Sequence, residues 1–296
     1  MTRLLRILTL CFVYTLFACP AASANEPGAW QNLLDKDLSK WEVFIGVPHQ
    51  SVKIPGRLAP SSKDGRTGEP LGLGNDPLEV FTVSMVDGEP VLHITGEIYG
   101  GLTTLDEFTS YHLSLQFRWG EKKWPPRVHQ KRDSGLLFHC VGKHGAFWNV
   151  WMRSLECQIQ EGDCGDFIPL AGSRATIYAK PGSIGKRPVY DPAGKIVKKA
   201  GYSSHSPSKE MPHGQWNTVE VYTIDDEAVF VVNGTPNMSL FNTRQNSPNG
   251  GKTPLTSGRI QIQSEAAEIE YRRVKIRQIE RFPKELASHL LRPAAS

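Results

Sequence analysis

Glu156, Gln158 and Glu161 stand close together in the run LECQIQE. Two carboxyl groups in reach of one substrate can act as acid and base, and an amide between them can hold a hydroxyl. The surrounding stretch, 133–166, adds Asp133, His139, His144, Phe147, Trp148 and Trp151. Carboxylates, an amide and indoles so close together are the ingredients of a sugar site. His139 offers an acid, a base or a ligand, or is a hydrogen-bonded core histidine. Asp133, just before Ser134-Gly135, either caps a turn or stands where a strand enters a cleft. Trp148 and Trp151 are either core or a stacking platform. Arg272, far along the chain, reads as a substrate contact or as half of an outward salt-bridged pair.

The elements that must position these residues are strands. Residues 151–161 alternate, with Leu155, Cys157 and Ile159 on one face and Glu156, Gln158 and Gln160 on the other. Residues 134–141 form a short apolar run in which His139 is expected to face away from Phe138. The cleanest alternation is 111–119: Tyr111, Leu113, Leu115 and Phe117 inward, His112, Ser114, Gln116 and Arg118 outward. Further strands are predicted at 41–45, 81–86, 91–95, 99–104, 169–178, 216–224, 227–232, 258–263 and 269–279. Asp87-Gly88 and Asp225-Asp226 mark hairpins. The 27 glycines and 21 prolines punctuate short runs throughout, which favours a β-sandwich or barrel. Two stretches rich in Pro, Gly, Ser and Lys, 46–77 and 179–214, read as long loops. The basic segment 120–132 reads as solvated surface.

Residues 1–24 have the form of an export signal. Arg3 and Arg6 precede an apolar run, and Ala22-Ser23-Ala24 is a cleavage site, so the mature chain is expected to begin at Asn25, exported to the periplasm or beyond. The run is too short to span a bilayer. The formal charge is +4, and the leader holds two of the arginines, so the processed chain is close to neutral and lacks the basic footprint of a nucleic-acid binder. Residues 25–280 read as one β domain and 281–296 as a tail. Of the cysteines, Cys140, Cys157 and Cys164 survive processing; a pair of them bridges or all stay as buried thiols. No His or Cys spacing makes a metal motif.

Seven blocks carry a resemblance: LLDKDLSKWEV (33–43), YHLSLQFRW (111–119), DSGLLFHC (133–140), LECQIQEGD (155–163), ATIYA (175–179), GQWNTVEVYTIDDEAVFVVNG (214–234) and GRIQIQSEAAEIEYRRVKIRQI (258–279). In this order and spacing the chain resembles the 3-keto-disaccharide hydrolase family. The resemblance implies an all-β, concanavalin-like jelly-roll sandwich of two antiparallel sheets with a carbohydrate site on one face. It also implies cleavage of glycosides whose sugar is a ketone at C3. Two features depart from the family pattern: the 46–77 and 179–214 loops are longer, and Gln263-Ser264-Glu265 stands where some members carry a His-Gly pair.

A C3 ketone acidifies the C2 proton, so a base can remove it while the group at C1 leaves; water adding back gives net hydrolysis. Such a site needs a base near C2, an electrophile at the C3 oxygen and an acid for the leaving oxygen. Glu156 is expected to be the acid/base carboxylate, Glu161 the second, His139 a further acid, base or ligand. Gln158, Asp133, Trp148, Trp151 and Arg272 are the candidate substrate contacts. A divalent metal could polarise the ketone. Two alternatives stay open. Glu156-x-Gln158-x-x-Glu161 has the spacing of laminarinase-type glycosidases if the strand is bulged, although their central Asp is replaced. A lectin-like sandwich would bind sugar without turning it over.

Overall fold

A computed structural model of the chain describes residues 28–183, 186–247 and 249–290. The expected leader, 1–24, and the end of the tail, 291–296, lie outside them. Two antiparallel sheets face each other. The smaller runs, in hydrogen-bonded order, Phe167–Leu170, Arg153–Gln160, Asp133–Val141, Ser257–Ser264, Gly100–Thr104, Trp41–Ile45 and Gly72–Leu73. The larger is centred on Asn217–Ile224, Tyr111–Lys123 and Ala267–Gln278.

Period-two alternation decides what lies between them. Leu113, Leu115 and Phe117 of one sheet and Leu136, Phe138, Leu155, Cys157 and Ile159 of the other are fully buried in one apolar core. The smaller sheet therefore turns Glu156, Gln158 and Gln160 to its outer face. Phe81–Val86 and Glu89–Ile94 meet at Asp87-Gly88, both at positive φ, as the hairpin signal requires.

The expected strand at 169–178 is two strands, Phe167–Leu170 and Arg174–Lys180, sent to different sheets by a turn at Ala171 and Gly172, both at positive φ. Thr235–Asn246, which reads as polar loop, is a long strand of the larger sheet. Its Asn237 and Ser239 are buried: Asn237 Nδ2 donates to the Cys164 carbonyl at 3.1 Å and Ser239 Oγ to the Tyr190 hydroxyl at 3.1 Å. Tyr190 comes from the 179–214 stretch, which is thus folded, with Lys195–Ala200 pairing to Arg174–Lys180. Of the tail, Lys284–His289 makes a 3₁₀ turn whose Leu286 packs on Val229 and Val231. Cys140, Cys157 and Cys164 are buried free thiols.

Candidate active site

The pairing of Arg153–Gln160 with Asp133–Val141 sets Gln158 opposite Gly135 and Gln160 opposite Asp133. Ser257–Ser264, on the other flank, brings Gln263, and the next residue, Glu265, bridges back to Asp133. These side chains floor a cleft of about 460 Å³. Arg127, from the basic segment, and Arg187 and Tyr202, from the second long excursion, complete its sides.

Glu156 lies at the base of the cleft, 3% exposed, with no hydrogen bond to its carboxyl group among the described residues. Burial, reinforced by the neighbouring Glu265 and Asp133 carboxylates, pushes its pKa well above the ordinary 4.5. Only a glycine fits beside it. A methyl group at Gly135 would overlap both Glu156 Oε1 and Gln263 Oε1. Gln263 Oε1 is itself a buried acceptor without a donor, which a protonated Glu156 can supply.

Asp133 and Glu265 behave differently because they have a counter-ion. The Arg127 guanidinium spans them, one nitrogen on Asp133 Oδ2 and another 3.3 Å from Glu265 Oε1. Gln160 also donates to Asp133. Burial still raises both carboxyl pKa values against the pull of Arg127. Three carboxyl groups thus line one cleft whose spanning guanidinium pairs with only two of them, an arrangement that favours retaining a proton. Asp133 Oδ1 and Arg127 Nε are buried without partners, as groups awaiting a ligand would be.

Trp151 is fixed by its indole N–H on the Gly100 carbonyl at 2.9 Å, and Trp148, 38% exposed, leans on it with ring centroids 5.5 Å apart. The Arg66 guanidinium lies 4.3 Å over the Trp148 ring, so the 46–77 excursion backs this wall. Gln158 is buried in the cleft, its side-chain oxygen accepting from the Ile159 N–H at 3.0 Å.

Three expected site residues lie elsewhere. His139 sits in a bulge: between Phe138 and Cys140 the strand carries one more residue than either neighbour, and His139 has φ of 50°. The bulge swings its ring into the core against Tyr111, centroids 5.6 Å apart, where burial lowers its pKa to about 4. Glu161 follows an unbulged run of alternation from Glu156, so it turns away from the cleft and pairs with Arg132 at 3.2 Å. Arg272 is on the larger sheet, its Nε donating to Gln116 Oε1 at 2.9 Å and its guanidinium 4.0 Å over Trp216. His144 pairs with Glu42 at 2.9 Å, stacked on Phe44.

Glu265, Arg127, Gln263, Arg187 and Tyr202 were not legible as site residues. The one available hint was the buried-looking block 258–279, where Gln263 and Glu265 interrupt apolar residues at even spacing. A divalent metal does not fit this arrangement. Among the described residues no three His, Cys, Asp or Glu side chains gather as a ligand set, and Arg127 already spans Asp133 and Glu265.

Similar solved structures include two candidate glycosyl hydrolases from Parabacteroides distasonis. One is 18% identical, covering 85% of this chain and all of its own at a TM-score of 0.45; the other is 15% identical, covering 86% and 94% at 0.46. LamAcat from Zobellia galactanivorans is 11% identical, covering 86% of this chain and 98% of its own at 0.43. No curated protein matches the chain. Residues 29–277 match the 3-keto-alpha-glucoside-1,2-lyase-like domain from end to end of the sandwich, and the chain belongs to that family.

Proposed function

We propose that this protein cleaves 3-keto-glycosides by removing the C2 proton and expelling the C1 substituent, with water added back to give net hydrolysis. The observation that carries this reading is that Arg127 spans Asp133 and Glu265 while Glu156, buried in the same cleft, has no such partner among the described residues. Glu156 has no cation beside it among the described residues and is the proton donor; Arg127 spans Asp133 and Glu265, and the ionised member of that pair is the base. Groups whose surroundings push their proton affinities apart are suited to act as acid and base in one site.

In the forward step the C2–H electron pair forms the C1–C2 double bond as its proton passes to the Asp133–Glu265 pair. The C1–O bond breaks, and the leaving oxygen takes the Glu156 proton. The free Arg127 Nε–H faces the charge that gathers on the C3 oxygen. Water then adds at C1 and a proton returns to C2. Trp148 and Trp151 offer the flat apolar wall on which a pyranose ring stacks. The laminarinase-type alternative needs Glu161 beside Glu156, and Glu161 faces the other way.

Running the reaction in D2O tests the step itself. Deuterium at C2 of the released keto sugar is expected, and a product with C2 unlabelled throughout would sink the elimination route. Export through the leader at 1–24 belongs to the same proposal, as does action outside the cytoplasm. Among the described residues no helix is long and apolar enough to cross a membrane.

A further inference from the structure

The two long excursions close the cleft from opposite flanks of the smaller sheet. Trp151 hangs on Gly100, and Asn149 donates to the Arg66 carbonyl of the first excursion at 2.8 Å. On the far flank, Ser203 bridges to Phe167 of the edge strand, and Ser204 bridges to Val189. Asp166, 1% exposed, latches this second excursion: one of its oxygens accepts from the His205 backbone N–H at 2.7 Å and lies 2.6 Å from His205 Nδ1. The latch holds Tyr202 and Arg187 in the cleft.

These two residues form a unit with unused donors. The Arg187 guanidinium carbon lies over the Tyr202 ring, 3.1 Å from its centroid, a cation–π contact that restricts the guanidinium. Its acidic neighbour among the described residues, Asp166, is 3.8 Å away and already committed to His205. The Tyr202 hydroxyl is buried beside Gln158 without a well-formed hydrogen bond. A restricted planar fork and a buried hydroxyl, both facing a cleft, match a carboxylate, which accepts two parallel N–H bonds and one O–H bond.

We infer that Arg187 and Tyr202 form a subsite for a carboxylate on the leaving moiety of the glycoside. This rests on the 3-keto-glycoside reading for the position of the scissile bond: the carboxylic wall and Trp148 take the keto sugar on one side of Glu156, and the Arg187–Tyr202 flank takes what departs.

The test uses two phenyl 3-keto-glucosides that differ only in a para-carboxylate or a para-carboxamide, groups of similar size, one anionic and one neutral. The full chain is expected to favour the carboxylate in kcat/KM by roughly tenfold, the order of one charge-assisted hydrogen bond. Arg187→Met is expected to remove most of that preference through KM, and Tyr202→Phe part of it. A preference near one in the unaltered protein, or one that survives Arg187→Met, overturns the subsite. Cleavage of neither compound speaks against the proposed reaction, and calorimetric titration of the same pair still decides the subsite. A roughly tenfold tighter Kd for the carboxylate that is lost in Arg187→Met supports it; equal affinities refute it.

Discussion

Glu156 carries the account because its surroundings, with no cation paired to it among the described residues, favour its protonated carboxyl. Burial and two like charges raise its pKa, so the folded chain binds a proton there that the unfolded chain gives up above about pH 4.5. The stability tied to this group is full below the unfolded pKa and falls as pH climbs toward the folded one. Glu156→Gln keeps the shape and cannot ionise. Its melting temperature should match the parent near pH 4 and exceed it increasingly from pH 6 to 8, as thermal unfolding across that range would show. Turnover of the same variant should drop by about 10²–10⁴, the usual worth of a positioned proton donor, with KM little moved; a loss under fivefold would remove Glu156 from the mechanism. Gly135→Ala tests the packing beside it. The added methyl must displace Glu156 or Gln263, so kcat should fall at least about tenfold while circular dichroism stays that of the parent, overpacking here costing about 1–3 kcal/mol. At this scale Glu156, Gln158 and Asp133 were legible, because alternation names the face of a strand. Arg127 and Glu265 were not, since their partnership with Asp133 joins a loop and the ends of two strands that no local pattern connects.

At the level of elements, one inserted residue takes His139 out of the cleft and into the core. The bulge around His139 breaks the alternation that the apolar run 134–141 promises, and nothing in those letters announces an extra residue. The opposite holds for 156–161, where the i to i+5 spacing invites a bulge and the strand stays regular. Glu161→Gln should therefore leave kcat/KM within about twofold of the parent, because an exposed-side pair with Arg132 contributes little. A loss like that of Glu156→Gln would restore the laminarinase-type reading. Strands with one wetter face are legible within a residue or two, Trp41–Ile45 and Phe81–Val86 among them. Thr235–Asn246 escaped because both its faces are covered. Its asparagine and serine are buried by the excursion above them, and polar letters under a covering segment look like loop.

The whole molecule is a sandwich whose smaller sheet is dressed by two excursions and the 142–151 loop, and those additions make the cleft. A β-sandwich or barrel was legible from alternation and turn chemistry, and the jelly-roll only as what the resemblance of the seven blocks implies. How its insertions drape was not, since that depends on distant contacts such as Asp166 with His205. The same enclosure protects the thiols. Burial raises the pKa of Cys140, Cys157 and Cys164, so native protein should resist alkylation at neutral pH, whereas unfolded chain should gain the mass of label at all three. Labelling of native protein at equal speed would mean the core opens readily. The central claim is chemical, and one comparison reaches it most directly: purified mature protein with a 3-keto-glucoside and, separately, with its unoxidised parent, products followed by mass spectrometry. Cleavage of the keto form with the parent left intact is the expected result. Equal cleavage of the parent, or binding of either sugar with no cleavage, would contradict the elimination mechanism and leave respectively a conventional glycosidase or a lectin.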